Sequence, residues 1–375
     1  TAGTSSVGVK CCRPASLCRV AHSMANVAMT NSTILPHSPG ATYDGTTRMC
    51  VGGVGHNVAA AMALLGARPR FVSIVGTDAL GAWTLQDMAN SHGLDTKGVL
   101  STNHHATPSA CVVIDATNGE CQYVIASMEA IRHLDVNHLD KYAEAIRVAP
   151  LVVLDANLSP SVAVRLLSEC RTHNVPVLLE PTDVSRCGPF VEFVLKQHQL
   201  HDAVTFATPN EHELRTLMAH FDQSAADSQR FIECLARQLM QHHMVGLRVL
   251  VVTLGARGAH VFARVPNNNA NAEKVIEQNC VDQLRVLTDT CAHTQQVNNS
   301  TIVDAHYSPE PFEGSGNKLI VSVSGAGDSF AGAFAVSTMN NCTLGECVRN
   351  GFSAARATLQ SELTVSLDLT QHNKY

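Results

Sequence analysis

The sequence predicts an α/β fold in which a mainly parallel sheet lies between two layers of helices, with a small β-sheet lid beside it. Two observations predict this fold. From about residue 130 onwards, continuous apolar runs alternate with amphipathic segments, and strands without a polar face are typical of a parallel sheet that is covered on both sides. In the N-terminal third, two short apolar runs flank an Asn-Gly pair, which is the signal of a β-hairpin.

The main sheet and its helices can be followed in order along the chain. A helical period over residues 134–148 leads into an apolar run at 151–155. Ser159 and Pro160 fit the start of the next helix, because serine caps helices and proline is tolerated in the first turn. The further strands are predicted at 175–180, 203–207 and 247–253, with helices between them.

The hairpin consists of residues 111–115 and 121–125, around Asn118 and Gly119. Hairpins that project from an α/β sheet often cover a site, so lid strands are expected from about 27–60 and 106–126.

One segment, from about residue 266 to 300, interrupts the α/β pattern. It is rich in Asn and Gln and has no periodicity, which predicts a mobile surface insertion. With this insertion included, residues 1–375 are predicted to form a single domain.

The composition excludes several classes of function. A net charge of -6 over 375 residues provides no broad basic field, so nucleic acid is not expected as the main partner. No apolar run reaches the roughly 20 residues of a membrane span, and no signal peptide is predicted. The 13 cysteines form no CxxC pairs, which predicts free thiols in a reducing compartment such as the cytoplasm. The 19 histidines lack metal-site spacing, so no direct protein ligand to a metal is predicted.

The sharpest local feature is a turn of small residues before a predicted helix. Gly325, Ala326 and Gly327 let the backbone approach a ligand closely, and their N–H groups lie at a helix N-terminus that favours an anion. Asp328 follows in the first helical turn. Phosphoryl transfer needs donors for the transferred group, a base for the attacking hydroxyl and a metal that bridges the phosphates. The turn could supply the donors and Asp328 the base, although an acidic residue also suits a first helical turn on electrostatic grounds alone.

Four motifs in a fixed order resemble the ribokinase-like (PfkB) family of sugar and nucleoside kinases. They are CVGGVGHNVAA at 50–60, TPNEHEL at 208–214, VTLGARGA at 252–259 and SGAGDSFAGAFA at 324–335. The resemblance covers about residues 20–362. It implies a ribokinase-like three-layer α/β/α sandwich and an ATP-dependent kinase that requires Mg²⁺. Within the family, GGVGHN and Val323 are similar to the corresponding text of pseudouridine kinases.

The resemblance also implies a role for each matching residue. Asp328 would be the base that activates the acceptor hydroxyl, and the N–H groups of the preceding turn would form the anion hole. Asn210 and Glu213 would organise Mg²⁺ and phosphate. The ATP site would be lined by Thr253, Gly255 and Gly258, and the substrate site by Asn26, Gly52, Gly53, His56 and Asn57.

Local interpretations remain open beside these roles. Asn210 fits a helix cap with Glu213 as its capping-box partner. His56 is either an exposed filler or a ligand. The paired Gly52 and Gly53 also fit a plain turn, and Gly255 and Gly258 fit the punctuation of a hairpin.

Three residues, at two places in the chain, depart from the family pattern. Asn26 stands where an Asp that grips sugar hydroxyls is expected, and an amide lacks the charge-assisted bond of a carboxylate. Ser322 and Val323 stand where the family often has Asp-Thr. That Asp is associated with a monovalent-cation site, so activation by potassium is doubtful.

The resemblance implies direct in-line phosphorylation of pseudouridine to pseudouridine 5'-phosphate. Two alternatives remain: a kinase for another acceptor of the family, such as ribose or adenosine, and a ligand-binding relative without turnover. The partner would be a small molecule, with no membrane partner, and the family also suggests a homodimer formed through the lid strands.

Overall fold

The computed structural model describes residues 17–20, 24–31, 45–115, 121–223, 230–266, 278–286, 300–310 and 320–372. The strands are β1 (Leu17–Val20), β2 (Met24–Asn31), β3 (Thr46–Gly52), β4 (Pro69–Gly76), β5 (Val99–Thr102), β6 (Ser109–Asp115), β7 (Cys121–Ser127), β8 (Val152–Asp155), β9 (Val177–Glu180), β10 (Phe206–Ala207), β11 (Val249–Thr253), β12 (Ala259–Pro266) and β13 (Ser300–Tyr307).

The helices are α1 (Val54–Leu64), α2 (Ala79–His92), α3 (Glu129–Arg132), α4 (Val136–Asp140), α5 (Ala143–Arg147), α6 (Pro160–Thr172), α7 (Val184–Phe190), α8 (Glu211–Phe221), α9 (Ile232–Gln238), α10 (Gln278–Gln283), α11 (Ala326–Met339) and α12 (Leu344–Leu359). None of these described helices is both long and apolar enough to cross a lipid bilayer.

The main sheet has nine strands in the order β13-β12-β11-β10-β9-β8-β1-β4-β5. The strands from β11 through to β5 run parallel, and β12 and β13 add an antiparallel edge. All four residues of β8 are buried, as are all four of β9. The continuous apolar runs therefore form a parallel sheet covered on both faces, and this prediction is confirmed.

The core lies in two layers, one on each face of the main sheet. Along β8, Val152 and Leu154 pack into the cluster formed with α6 to α9, whereas Val153 packs into the cluster formed with α1, α11 and α12. Because successive side chains of a strand point to opposite faces, one short strand contributes to both layers. The result is a three-layer α/β/α arrangement.

The second sheet, here called the lid sheet, has four strands in the order β3-β2-β6-β7. The hairpin predicted around Asn118 is formed by β6 and β7, which pair antiparallel; residues 116–120 lie outside the described residues. One face of the lid sheet buries Ala110, Val112 and Ile114.

Local details of the prediction differ from the structure. The single helix expected over 134–148 is two short helices, α4 and α5, separated by a turn. The strand expected at 203–207 shortens to β10, and residues 320–323 form no strand before the glycine turn. At residue 321, for example, the Val321 N–H donates to the Leu359 carbonyl oxygen, a contact between distant residues that periodicity does not show.

The predicted insertion is only partly described, since residues 267–277 and 287–299 lie outside the described residues. The described part, 278–286, is not a loose surface loop. Val281 and Val286 are fully buried in the core, and the carboxylate of Asp282 accepts a hydrogen bond from Arg349 of α12 at 2.9 Å. This part of the insertion therefore belongs to the packed body of the protein.

Candidate active site

The candidate site lies where the parallel strands of the main sheet end. Asp155 and Glu180 close β8 and β9 and are paired in register, and Thr253 closes β11. A parallel bridge joins Thr253 to Asn210, which follows β10. Because the carboxyl ends of parallel strands meet at one edge of the sheet, residues from distant parts of the sequence come together there.

A backbone cradle forms at the start of α11. Gly325 precedes the helix with φ 80°, and a Cβ at this position would overlap with the carbonyl oxygen of Thr364. Among the described residues, no side chain caps the helix, and the Ala326 N–H makes only a long bond of 3.4 Å to the Val323 carbonyl. Open space faces Gly327. The first N–H groups of α11 are therefore placed to receive an anion.

The carboxylate of Asp328 is held by α1. The side-chain N–H of Asn57 donates to Asp328 Oδ2 at 2.7 Å, and the carbonyl oxygen of Asn57 lies 3.2 Å from His56 Nδ1. An amide oxygen can only accept, so His56 Nδ1 is the donor. His56 is fully buried, and the idea that it is an exposed filler is wrong. Two of the residues predicted to bind the substrate, His56 and Asn57, thus form a chain of hydrogen bonds that ends on Asp328, the predicted base.

Close helix packing brings Asn57 and Asp328 together. Gly53, with φ 88°, turns the chain from β3 directly into α1. One turn of α11 further on, Gly332 lies so close to Val58 and Ala61 that a Cβ there would collide with α1. Because residue 332 is a glycine, α1 and α11 can pack closely enough for Asn57 to reach the Asp328 carboxylate.

Several carboxylates share the same edge of the sheet. Burial raises the pKa of Glu180 well above its usual range, and the nearby Glu213 and Asp328 raise it further. Burial likewise raises the pKa of Glu213 to about 7, opposed by the Asn210 N–H and reinforced by Asp183 and Asp328. Like charges that crowd a buried edge make it receptive to a cation, which would offset their repulsion.

Asn210 and Glu213 form a complete capping box at the start of α8. Glu213 N–H donates to Asn210 Oδ1 at 3.0 Å, and Asn210 N–H donates to Glu213 Oε2 at 2.8 Å. The predicted cap is confirmed. The same contacts hold the Glu213 carboxylate beside the other acids, so the cap also orients a group that could organise a metal.

The turn predicted for the nucleotide follows β11. Gly258, with φ 92°, packs so tightly that a Cβ would overlap with the carbonyl oxygen of Tyr307, whereas open space faces Gly255 at φ 59°. The packing of the turn therefore requires a glycine at position 258, whereas Gly255 leaves room for a ligand. Arg257, between them, is bound to Glu211 of α8 at 2.5 Å.

Two other predicted positions lie in the lid sheet and before the glycine turn. Asn26 pairs with Cys50 in the lid sheet, on β2 rather than at the end of β1. Ser322 is buried, and its hydroxyl oxygen accepts the Ser324 N–H at 3.1 Å.

Sequence reasoning did not single out Glu180 and Asp183 as site residues. Glu180 accepts a hydrogen bond from Thr208 at 2.6 Å, and between the two acids Thr182 adopts φ 76°, an unusual conformation for a β-branched residue. An acidic residue directly after an apolar strand, as at Asp155 and Glu180, is the signal that would have found this edge of the sheet.

The chain is similar to known proteins in both sequence and structure. The model of the family described as pfkB family carbohydrate kinase matches residues 15–283 and 314–371. A pseudouridine kinase of Arabidopsis thaliana is 25% identical over 344 residues, with 86% of this chain and 85% of the relative covered. A ribokinase of the same plant is 24% identical, with 84% of this chain and 68% of the relative covered.

The structure of Arabidopsis thaliana ribokinase complexed with ribose and ATP superimposes with a TM-score of 0.67 at 21% identity. The superposition covers 96% of this chain and 99% of that one. The ribokinase-like fold expected from the motifs is thereby confirmed.

Proposed function

Because this chain belongs to the pfkB family of carbohydrate kinases, which transfer phosphoryl groups to alcohol acceptors, we propose that it phosphorylates pseudouridine at its 5'-hydroxyl with ATP as donor. The observation that carries the proposal is the single helical turn at the start of α11. This turn combines the N–H cradle with Asp328, and the carboxylate of Asp328 is fixed by Asn57 at 2.7 Å.

Asp328 is proposed to accept the proton of the attacking hydroxyl. A carboxylate can accept several hydrogen bonds, so the bond from Asn57 orients Asp328 and leaves acceptor capacity for the substrate. The buried His56 in turn holds the Asn57 amide with its N–H toward the carboxylate. The base is thereby positioned before the substrate arrives.

The N–H groups of Gly325, Ala326 and Gly327 are proposed to donate to the oxygens of the transferred phosphoryl group. They lie at the positive end of a 14-residue helix, where charge that develops in the transition state is stabilised without reorganisation. The turn of Thr253, Gly255 and Gly258 would contact the nucleotide, with Gly255 facing open space.

A bound magnesium ion would supply positive charge that offsets the negative charge of the phosphates. The donor set fits this ion, because hard carboxylate oxygens are its preferred protein ligands. Asn210 and Glu213 would organise it through water, with Glu180 and Asp183 beside them. A monovalent cation is not part of the proposal, because Ser322 supplies a hydroxyl where a carboxylate would be needed.

The acceptor is proposed from similarity and from the text GGVGHN. The relatives named above act, by name, on pseudouridine and on ribose. Gly52 ends β3 and Gly53 precedes α1, and the strand that carries Asn26, β2, pairs with β3. These residues are proposed to contact the acceptor's sugar. His56 is buried behind Asn57 and is therefore proposed to act through it rather than on the acceptor.

The lid sheet and the free thiols support two further parts of the proposal. The lid sheet ends in β7, an edge strand with all seven residues exposed, which would pair with a second copy to form a homodimer. Buried cysteines without a disulfide, such as Cys187 and Cys347, fit a reducing compartment, for which the cytoplasm is proposed.

A panel of acceptors tests the proposal directly. Release of ADP would be measured with Mg²⁺ and ATP against pseudouridine, uridine, adenosine, ribose and fructose, and the products would be identified by mass spectrometry. We expect kcat/KM to be highest for pseudouridine.

A higher kcat/KM for ribose or adenosine would overturn the acceptor and keep the kinase mechanism. No turnover of any acceptor, by protein that binds ATP, would favour a ligand-binding relative without activity.

A further inference from the structure

Two histidines and a glutamate meet at the surface, outside the site described above. The nitrogens of His105 and His133 and a carboxylate oxygen of Glu129 lie within 4.8 Å of one another. The two imidazole rings stack with centroids 3.7 Å apart and planes at 15°, and Glu129 Oε1 lies 3.9 Å from His105 Nδ1. We propose that these three side chains bind one divalent transition-metal ion, with Zn²⁺ as the best fit.

The chemistry of the cluster selects the class of ion. Neutral imidazoles are good ligands for Zn²⁺, Ni²⁺ and Cu²⁺, whereas Mg²⁺ and Ca²⁺ prefer oxygen. Two imidazoles and one carboxylate are a ligand set that zinc accepts, with water in the fourth position.

The two rings must rotate out of their stack to bind one ion, because the lone pairs of nearly parallel rings lie in separate planes and do not converge. Ligand atoms on a tetrahedral zinc are about 3.4 Å apart, given bonds of about 2.1 Å. The Glu129 side chain is 72% exposed. An exposed side chain can change its rotamer toward an ion without disturbing the core.

The backbones that carry the ligands are anchored. Two residues after His105, the Thr107 N–H and hydroxyl donate to Asp78 at 2.8 and 2.6 Å, which fixes the loop. Glu129 begins α3 and His133 caps its C-terminus four positions later, and two of the three residues between them, Ala130 and Ile131, are fully buried. Side chains four apart on a helical turn share one face, so Glu129 and His133 project together.

The position of the cluster in the fold gives the ion a structural consequence. His105 precedes β6, and Glu129 and His133 follow β7, so the three ligands come from the two ends of the β6–β7 hairpin. A metal bound to all three would tie together the two connections between the β6–β7 hairpin and the main body. The hairpin would then open less freely.

Cobalt titration of the full chain tests the site. After treatment with EDTA, Co²⁺ would be added and its visible absorption recorded, followed by displacement with Zn²⁺. We expect one equivalent of Co²⁺ to bind, with the visible absorption of a four-coordinate ion that has nitrogen and oxygen ligands. Loss of even an outer-shell partner of a metal costs about 10–100-fold in affinity, so His105→Ala and His133→Ala should weaken binding at least about tenfold.

His104→Ala is the matched control, because His104 is the exposed neighbour of His105 and lies outside the cluster. It should bind Co²⁺ as the wild type does, which separates this site from weak binding by the other histidines. Wild-type protein without the cobalt spectrum, or His105→Ala and His133→Ala variants that bind as tightly as the wild type, would overturn the proposal. Glu129→Gln gives a third variant at an exposed position where folding is not at stake.

Hydrogen exchange of the hairpin tests the structural consequence. Zn²⁺ should slow exchange in β6 and β7 of the wild type and leave it unchanged in His133→Ala. Equal exchange rates with and without Zn²⁺ in wild-type protein would refute the tie between the two ends of the hairpin.

Discussion

Asp328 gains its position from residues 271 places away in the sequence. Its Oδ2 accepts from Asn57 at 2.7 Å, and Asn57 is itself held by the buried His56. At the scale of single residues, the site therefore depends on a short chain of side chains rather than on an isolated carboxylate.

We expect Asp328→Asn to lower kcat by about 10²–10⁴-fold, the range that a positioned general base contributes. The variant should remain folded and bind ATP, because the amide is isosteric and Asp328 raises the pKa of both Glu180 and Glu213. ADP release and calorimetric ATP binding would check both expectations. Undiminished turnover would exclude Asp328 as the base.

Asn57→Ala separates a positioning role from a substrate contact. A hydrogen bond to a charged group is worth about 1.5–3 kcal/mol, so its loss should lower kcat by about tenfold or more. In the Asp328→Asn background, the same change should have little further effect on kcat. If KM for the acceptor rises while kcat is unchanged, Asn57 acts on the substrate instead, as the motif alone suggests.

His92 makes stability depend on pH. It packs edge-on against His56 at 4.9 Å between ring centroids, and burial lowers its pKa below the usual 6.5 although Asp87 acts to raise it. The folded state therefore binds fewer protons than the unfolded state, so the free energy of unfolding should fall as the pH drops from 6.5 through the lowered pKa.

His92→Gln should lose less stability than the wild type between pH 7.5 and 5.5, measured by urea unfolding. The exposed His104→Gln should keep the wild-type slope. Parallel slopes for wild type and His92→Gln would contradict this assignment.

At the scale of elements, the turn before α11 contains two glycines, Gly325 and Gly327, that have different roles. Gly325 adopts φ 80° against the Thr364 carbonyl, whereas Gly327 faces open space. The first is required by the fold, and the second leaves room for a ligand.

Gly325→Ala should destabilise the protein by about 1–3 kcal/mol from backbone strain alone, with the collision at Thr364 added to it. Gly327→Ala should keep the melting temperature within a few degrees and weaken ATP binding only. Thermal unfolding and calorimetric titration of both variants measure the contrast. Equal loss of stability in the two variants would show that the turn has a purely structural role.

One element also shows that hydrophobic periodicity does not identify every core residue. The segment 278–286 falls in an Asn-rich stretch, yet Val281 and Val286 are buried in the core beside α12. Two valines in a polar stretch give no recognisable period, and only their neighbours in space show that they are core residues.

The whole molecule consists of a three-layer body and a lid sheet with an exposed edge. On β7, Tyr123, Val124 and Ile125 expose apolar side chains, Ile125 to 75%. Exposed strand edges with apolar residues tend to pair with another chain.

We expect the wild type to sediment as a dimer and Ile125→Glu as a monomer, because a buried charge at the interface would oppose pairing. Val148→Glu is the matched control, since Val148 is also apolar and 68% exposed but lies outside the lid sheet. Sedimentation velocity distinguishes these states. A monomeric wild type would exclude the dimer formed through the lid.

The sequence by itself determined the class of fold, the family and the positions of the cradle, because apolar runs, glycine turns and caps are local features with local physical causes. The local sequence alone was enough to predict Asp328, Gly325 and the capping box of Asn210 and Glu213. Only the tertiary structure decided which of these residues meet. The contact of Asn57 with Asp328, the acids gathered at the strand ends and the cluster of His105, Glu129 and His133 all join distant segments. Such contacts follow from the packing of the sheet, the helices and the lid sheet, which no local pattern records.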